Sequence, residues 1–347
     1  MIKVAILGGS GYTGLELLRI LAGHPEARVV EVTSRQYKGA SVAGTFPWLR
    51  GFYDHLVFSG PEDFKKIKAD CVFSALPHGA SLEAVPAVLK TGAKVIDLSA
   101  DFRLRDAKVY EKWYGKPAAT SLLKRAVYGL PELYRGMVKK ADLIANPGCY
   151  PTGALLALAP LAKKGLIDIA PGSVIIDSKS GVSGAGRQAS IETSFAEVAG
   201  SFKAYKVGSH RHTPEIDQEL SAAAGGAVAV TFTPHLLPVS RGILTTAYAR
   251  LKKGAAAGDM HKLYEGFYSK EPFVRVMPEG QSPDISLVRG SNFCDIGLWP
   301  DEKKGMVTAV SAIDNLVKGA AGQAVQNMNI VFGLDEETAL KTPPVAI

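Results

Sequence analysis

The chain has 347 residues, 47% hydrophobic and 21% charged, which is ordinary for a globular protein; at about 150 residues per domain the length predicts two domains, each with its own core. This composition excludes disordered, collagen-like and coiled-coil classes, and no apolar run approaches the ~20 residues of a membrane helix. The formal charge of +7 comes from scattered pairs such as Lys65-Lys66, Lys139-Lys140, Lys252-Lys253 and Lys303-Lys304 without aromatic interleaving, so nucleic acid is not an expected partner, whereas anionic small molecules are.

Residues 2–7 form an apolar run with Lys3 near its start, but it leads directly into Gly8-Gly9-Ser10-Gly11 with no small-residue cleavage site, so it reads as a strand and not as a secretion signal. Leu15, Leu17, Leu18, Ile20 and Leu21 then carry helical spacing up to Gly23. Strands are expected over Arg28–Thr33, Cys71–Leu76, Lys94–Leu98 and Leu143–Asn146, with a helix over Ser81–Lys90, an alternation that argues for a parallel sheet wound on both faces. After residue 150 the texture changes. A helix over Gly153–Lys164 precedes strands over Ala227–Thr233, Gly242–Leu251 and Phe273–Met277, and then a hairpin of Cys294–Trp299 with Gly305–Ile313. Lys253–Gly258 is the one linker-like loop, and Asp314 or Asn315 caps a closing helix through about Val331.

Gly9-Ser10-Gly11-Tyr12-Thr13-Gly14 matches G-x-G-x-x-G, and Gly8 adds a second glycine spacing. A lone match is weak, but this one lies between a strand and a helix, where backbone N–H groups meet a pyrophosphate at the helix N-terminus. Gly8, Ser10, Gly11, Tyr12, Thr13 and Gly14 are therefore the expected cofactor turn. The next strand ends at Thr33-Ser34-Arg35 with no acid for a ribose 2′-hydroxyl; Arg35 offers a forked cation and Ser34 a hydroxyl to a 2′-phosphate, which predicts NADP(H) over NAD(H). The fold class follows as α/β: a Rossmann-type doubly wound sheet over 1–148, completed by the closing helix at about 315–347, and an α+β domain with a mainly antiparallel sheet over 149–314.

Three cysteines, odd in number and far apart, form neither a disulfide framework nor a CxxC metal site, and they fit a reducing cytoplasm. Cys71 and Cys294 sit in apolar strands and read as inert. Cys149, in Asn146-Pro147-Gly148-Cys149-Tyr150-Pro151-Thr152, falls on a turn between strand and helix, where outward backbone N–H groups favour the thiolate. Its acid/base partner is sought in Ser209-His210-Arg211-His212-Thr213-Pro214-Glu215, the one dense titratable cluster, in which either histidine could serve. His-x-His with a single cysteine could instead ligate zinc, but neither a second cysteine nor a helical His-x-x-x-His accompanies it, so no metal is expected.

With these elements placed, the chain resembles the N-acetyl-gamma-glutamyl-phosphate reductases of the semialdehyde dehydrogenase family nearly end to end. The carriers are the glycine turn, Ala75-Leu-Pro-His-Gly79, Asp97-Leu-Ser-Ala-Asp-Phe-Arg103, Tyr128-Gly-Leu-Pro-Glu132, Asn146–Thr152, Lys179–Arg187, Gly208–Glu215 and Asp314-Asn-Leu-Val-Lys-Gly319. The resemblance implies that Cys149 attacks an acyl phosphate and forms a thioester that NADPH reduces to the semialdehyde, with His212 as acid/base. It implies substrate contacts at Arg103, Asn146, Ser180, Arg187, His210, Arg211 and Glu215, and further cofactor contacts at Pro77, Ser183, Gly184 and Asn315. It also implies a homodimer or homotetramer in the cytoplasm. Two alternatives stay open: an N-blocked alpha-aminoadipyl-phosphate reductase of lysine biosynthesis, for which an acidic carrier protein becomes a partner, and an aspartate-semialdehyde dehydrogenase. A non-catalytic NADP-binding regulator would keep the fold and lose Cys149 or His212; both are present.

Overall fold

A computed structural model describes residues 1–115, 120–255 and 260–345. Its contacts divide the chain into two units, Met1–Pro147 with Ala320–Lys341, and Gly148–Gly319 with the segment from Thr342 onward. Of the loop expected over Lys253–Gly258, residues 256–258 lie outside the described ones, as do 346 and 347 at the end of the closing segment.

Unit 1 is a seven-stranded parallel sheet of β1 (Ile2–Leu7), β2 (Ala27–Thr33), β3 (Phe58–Ser59), β4 (Cys71–Ser74), β5 (Lys94–Asp97), β6 (Val127–Tyr128) and β7 (Leu143–Ala145), in the order β3-β2-β1-β4-β5-β7-β6. Its strands read as continuous apolar runs because both faces are covered: Val4, Ala5, Ile6, Val72 and Phe73 are fully buried. One face packs Ala5, Leu7, Val72 and Val95 against Val85 and Val88 of the Ser81–Leu89 helix, with Phe102 and Tyr110 closing the cluster. From β1 the chain winds outward through β2 and β3, then returns to lay β4 on the other side of β1. The reversal of strand order therefore falls between β1 and β4, where open α/β sheets bind ligands beyond the carboxyl ends of the strands.

The closing helix, Gly322–Val331, is buried and carries polar side chains with definite partners. Asn327 Nδ2 donates to Gly129 O and to Asn146 Oδ1, and Asn329 Oδ1 lies 2.9 Å from His24 Nε2. Such satisfied buried networks fix one docking register for an element that arrives from the far end of the chain.

Unit 2 carries β8 (Val174–Gly181), β9 (Lys203–Ala204), β10 (Thr231–Leu237), β11 (Ile243–Arg250), β12 (Val274–Val276), β13 (Cys294–Asp301) and β14 (Met306–Ile313), ordered β12-β13-β14-β11-β8-β10-β9. Four of the six pairings are antiparallel; β8 with β10 and β12 with β13 run parallel. The Cys149–Lys163 helix packs on β11 and β14 and against the Thr213–Ala224 helix. Tyr150 through Ala162 are all buried, so the helix shows no amphipathic stripe.

Several boundaries differ from those expected. The helix sought from Gly153 begins at Cys149 itself, because a helix buried all round gives no periodic signal at its start. The strand expected over Ala227–Thr233 lies at Thr231–Leu237 and runs through Pro234, a residue that argues against strand in sequence but whose carbonyl here accepts from Tyr205 N at 3.0 Å. Asp314 does cap: its Oδ1 accepts from the backbone N–H of Leu316 and Val317, and a wide π turn over Val317–Ala321 precedes the α-helix. The chain re-enters unit 1 at Ala320 and not near Asn315, because Asp314 and Asn315 are hydrogen-bonded within unit 2. Among the described residues no helix is long and apolar enough to cross a membrane.

Candidate active site

In unit 1 the glycine turn has the shape that a dinucleotide needs. Gly8 adopts φ +77°, and a Cβ there would stand 2.6 Å from Ala75 O; a Cβ on Gly14 would stand 2.6 Å from Gly9 Cα, so the helix beginning at Tyr12 can lie this close to the turn only with glycine. A Cβ on Gly11 would meet nothing nearer than 3.8 Å, which leaves room for a ligand to reach the helix N-terminus. The turn is pinned from β2: Thr33 Oγ1 accepts from Gly8 N and Thr33 O from Gly9 N. Ser10 and Ser34 place their hydroxyls 2.9 Å apart, so these two predicted residues are one contact. Arg35 is exposed and makes no ion pair among the described residues, while Glu31, the nearest acid in the strand, accepts from Ser59 Oγ. Tyr12 is 39% exposed at the turn, and Pro77 is exposed on the loop after β4.

Arg103 and Asn146 meet in unit 1. Arg103 is buried, its Nε donating to Asn146 O at 2.8 Å and its Nη2 to Leu98 O at 2.9 Å. Asn146 is fully buried; its Nδ2 donates to Ala320 O and its Oδ1 accepts from Asn327. Both residues brace the Asn146-Pro147 segment that leads to the cysteine. Beside them Asp97, fully buried and bonded to Ser81 and Ser99, is pushed up to about 6 by burial.

In unit 2, Cys149 is the first residue of its helix, with Gly148 as the N-cap, so the thiol stands where unpaired backbone N–H groups and the helix dipole favour a thiolate. It is partly exposed, whereas Cys71 and Cys294 are buried and burial raises the Cys71 thiol far above its ordinary range. The turn is fixed by residues remote in sequence. Glu215, buried in the first turn of the Thr213–Ala224 helix, accepts from Gly148 N at 2.8 Å. Gly319 lies against the nucleophile, for a Cβ there would stand 2.8 Å from Cys149 Cβ.

His212 is the N-cap of that second helix, so Cys149 and His212 stand at the starts of two packed helices joined by the Gly148–Glu215 bond. Tyr150 lies between the histidines, its ring centroid 5.4 Å from His210 and 5.9 Å from His212. His210 Nδ1 accepts from His212 N at 3.1 Å, and burial, with His212, Lys206 and Arg211 nearby, lowers its pKa to about 3. His210 is therefore neutral at working pH and serves as an acceptor for the His212 backbone. The phenols of Tyr150 and Tyr205 are 2.8 Å apart; burial drives Tyr150 far above its ordinary value and Tyr205 to about 12, so neither ionises. Ser180 faces the Tyr150 hydroxyl and donates to Gly181 O.

The remaining predicted residues fall into two groups. Asn315 is buried, its Oδ1 accepting from Gly242 N and its Nδ2 donating to Ser183 Oγ, so Ser183, Gly184 and Asn315 form one corner of unit 2. Arg187 and Arg211 are exposed. Sequence reasoning passed over Tyr150, Tyr205 and Gly319 as site residues; two were inside quoted motifs, but nothing in a linear pattern shows a phenol pair or a backbone pressed on a thiol. No group of three or more His, Cys, Asp or Glu side chains among the described residues is arranged to hold a metal ion.

A parallel nucleotide-binding sheet carried with a mixed-sheet unit that opens on a helix-start cysteine defines a class. Residues 3–141 match the semialdehyde dehydrogenase NAD binding domain and residues 149–315 the semialdehyde dehydrogenase dimerisation domain, and the chain belongs to the semialdehyde dehydrogenase family. Within it, the N-acetyl-gamma-glutamyl-phosphate reductase of Geobacter metallireducens is 56% identical over 347 residues, covering 99% of each chain, and that of Geotalea daltonii is 54% identical over 344 residues with the same coverage. A solved aspartate semialdehyde dehydrogenase II of Vibrio cholerae, complexed with ASA, shares the fold at a TM-score of 0.72 and 18% identity, over 96% of this chain and 98% of that one.

Proposed function

We propose that this protein reduces N-acetyl-gamma-glutamyl phosphate to N-acetylglutamate 5-semialdehyde and phosphate with NADPH, a step of arginine biosynthesis, through a thioester on Cys149. The observation that carries this reading is Cys149 at a helix start, tied through Gly148 and Glu215 to the helix that His212 caps. The Cys149 thiolate attacks the acyl carbon, and the carbon–oxygen bond to phosphate breaks as phosphate leaves. Bound NADPH supplies the hydride that reduces the thioester. His212 gives a proton to the oxyanion formed by that reduction and takes it back as the carbon–sulfur bond breaks, releasing aldehyde and restoring the thiolate. Arg103, Arg187 and Arg211 are the guanidinium groups offered to the phosphate, and Asn146, Ser180, His210 and Glu215 complete or brace the substrate side.

Unit 1 is the cofactor domain. Gly8 through Gly14 receive the pyrophosphate, and Ser34 with the exposed Arg35 receive the 2′-phosphate, which selects NADP(H); Pro77, Ser183, Gly184 and Asn315 attend the nicotinamide side. Unit 2 is the catalytic and association domain of a cytoplasmic homodimer or homotetramer. Ile175 and Tyr248, paired across β8 and β11 and 41% and 40% exposed, give its open sheet face apolar surface to cover. The names of the relatives favour the glutamyl over the aminoadipyl substrate, and with it an acyl phosphate free of any carrier protein. Reverse turnover tests this reading: N-acetylglutamate semialdehyde, phosphate and NADP+ should yield NADPH faster than the aminoadipate homologue does. A preference for the longer homologue moves the protein to the lysine-pathway alternative.

A further inference from the structure

At the carboxyl edge of the unit 1 sheet, one group outside the assigned residues is held from behind on one ring nitrogen and leaves the other open. His78 lies on the loop leaving β4, with its Nδ1 2.6 Å from Asp101 Oδ1 and its ring centroid 4.6 Å from that of Tyr114. Asp101 is fully buried: Gly79 N donates to both of its oxygens, at 3.0 and 2.9 Å, and the Tyr110 hydroxyl donates to Oδ1 at 3.1 Å. The Asp101 carboxylate holds the ring from behind through this close contact at Nδ1, leaving Nε2 on the far side of the ring. Among the described residues Nε2 has no hydrogen-bond partner, and the side chain is 27% exposed. An imidazole whose position and loop are both held from behind, with its outer nitrogen unused, is arranged for a ligand.

Sheet order says which ligand atoms arrive there. Across the carboxyl edge run, in order, the end of β2 with Ser34 and Arg35, the glycine turn after β1, and the loop after β4. The last two touch, since a Cβ on Gly8 would reach Ala75 O. A dinucleotide with its 2′-phosphate at Arg35 and its pyrophosphate on the glycine turn extends its other half over β4. We infer that His78 is a cofactor-binding residue whose Nε2 hydrogen-bonds with a ribose hydroxyl in the nicotinamide half of NADP(H), with Asp101 as the group that positions it. This inference rests on the NADP(H) reading above.

Titration of wild type, His78→Ala and Arg35→Ala with NADPH and with adenosine 2′,5′-bisphosphate, which lacks the nicotinamide half, separates the two. His78→Ala should weaken NADPH about tenfold and leave the bisphosphate unchanged, which also shows that the unit is folded, whereas Arg35→Ala should weaken both. Unchanged NADPH affinity in His78→Ala, or equal weakening of both ligands, overturns the inference and leaves the cofactor reading standing. Failure of the wild type to bind NADPH overturns the cofactor reading itself.

Discussion

Both units place their chemistry on a turn that leads from extended chain into a helix, but they hold that turn in different ways. In unit 1 the turn after β1 is secured by its own glycines and by the adjacent strand, through Thr33 and Ser34. In unit 2 the Gly148-Cys149 turn is secured by Glu215, 67 residues on, and by Gly319 at the end of the unit. The first turn is a local motif that holds itself. The second is an ordinary dipeptide whose position is set by distant residues, so damage to it is expected from positions far from Cys149 in sequence.

The largest effect expected from this contrast is at the nucleophile. Cys149→Ala should lower turnover by at least about a thousandfold while NADPH affinity, a property of the other turn, stays within twofold of wild type by the order-of-magnitude scatter of such measurements. Gly319→Ala comes next. Its Cβ would press on Cys149 Cβ, and displacing a nucleophile by a fraction of an ångström is expected to cost about 10- to 100-fold in kcat. The rate of Cys149 alkylation should change in parallel while KM for NADPH holds; an unchanged alkylation rate would show that the nucleophile is not held from Gly319.

Arg35→Ala probes the other turn. The ratio of kcat/KM for NADPH over NADH should fall about tenfold, with no effect on alkylation of Cys149. The smallest effect lies in the pH dependence of stability. His210 has a folded pKa of about 3, well below that of an unfolded imidazole. Below about pH 6.5 the unfolded chain therefore binds a proton that the folded one refuses, and stability is lost as pH falls, with a ceiling of about 1.4 kcal/mol per pH unit for one proton. His210→Asn keeps an acceptor for His212 N without the titration, so thermal melts at pH 7 and pH 5 should differ less for the variant than for wild type. The raised pKa of Asp97, about 6, acts in the opposite sense and is common to both proteins, so it cancels from that comparison.

The same contrast decides what could be read from the sequence. The parallel sheet and its glycine turn were legible because strand, turn and helix follow one another within the first residues and each glycine has a local reason. Cys149 stood out in the sequence by its Pro/Gly turn, yet the start of its helix was not legible, because complete burial erases the periodicity that marks a helix. The central strand β8 escaped notice because the polar Asp177-Ser178-Lys179-Ser180 stretch breaks its alternation, and β10 was misplaced because Pro234 disguises it. His210 and His212 were equivalent in the sequence and are separated only by geometry, since one ring accepts from the backbone of the other. Asn315 was expected at the cofactor, and its hydrogen bonds to Gly242 and Ser183 show a structural task that no linear pattern announces.

The central claim is that Cys149 carries the acyl group, and the most direct test omits the reductant. Protein mixed with N-acetyl-gamma-glutamyl phosphate in the absence of NADPH, quenched in acid and digested, should release one phosphate per chain in a burst and show one N-acetylglutamyl group on the peptide that contains Cys149, lost on treatment with hydroxylamine. A burst-free reaction with no adduct at Cys149, in protein that nonetheless turns over when NADPH is added, would contradict the account.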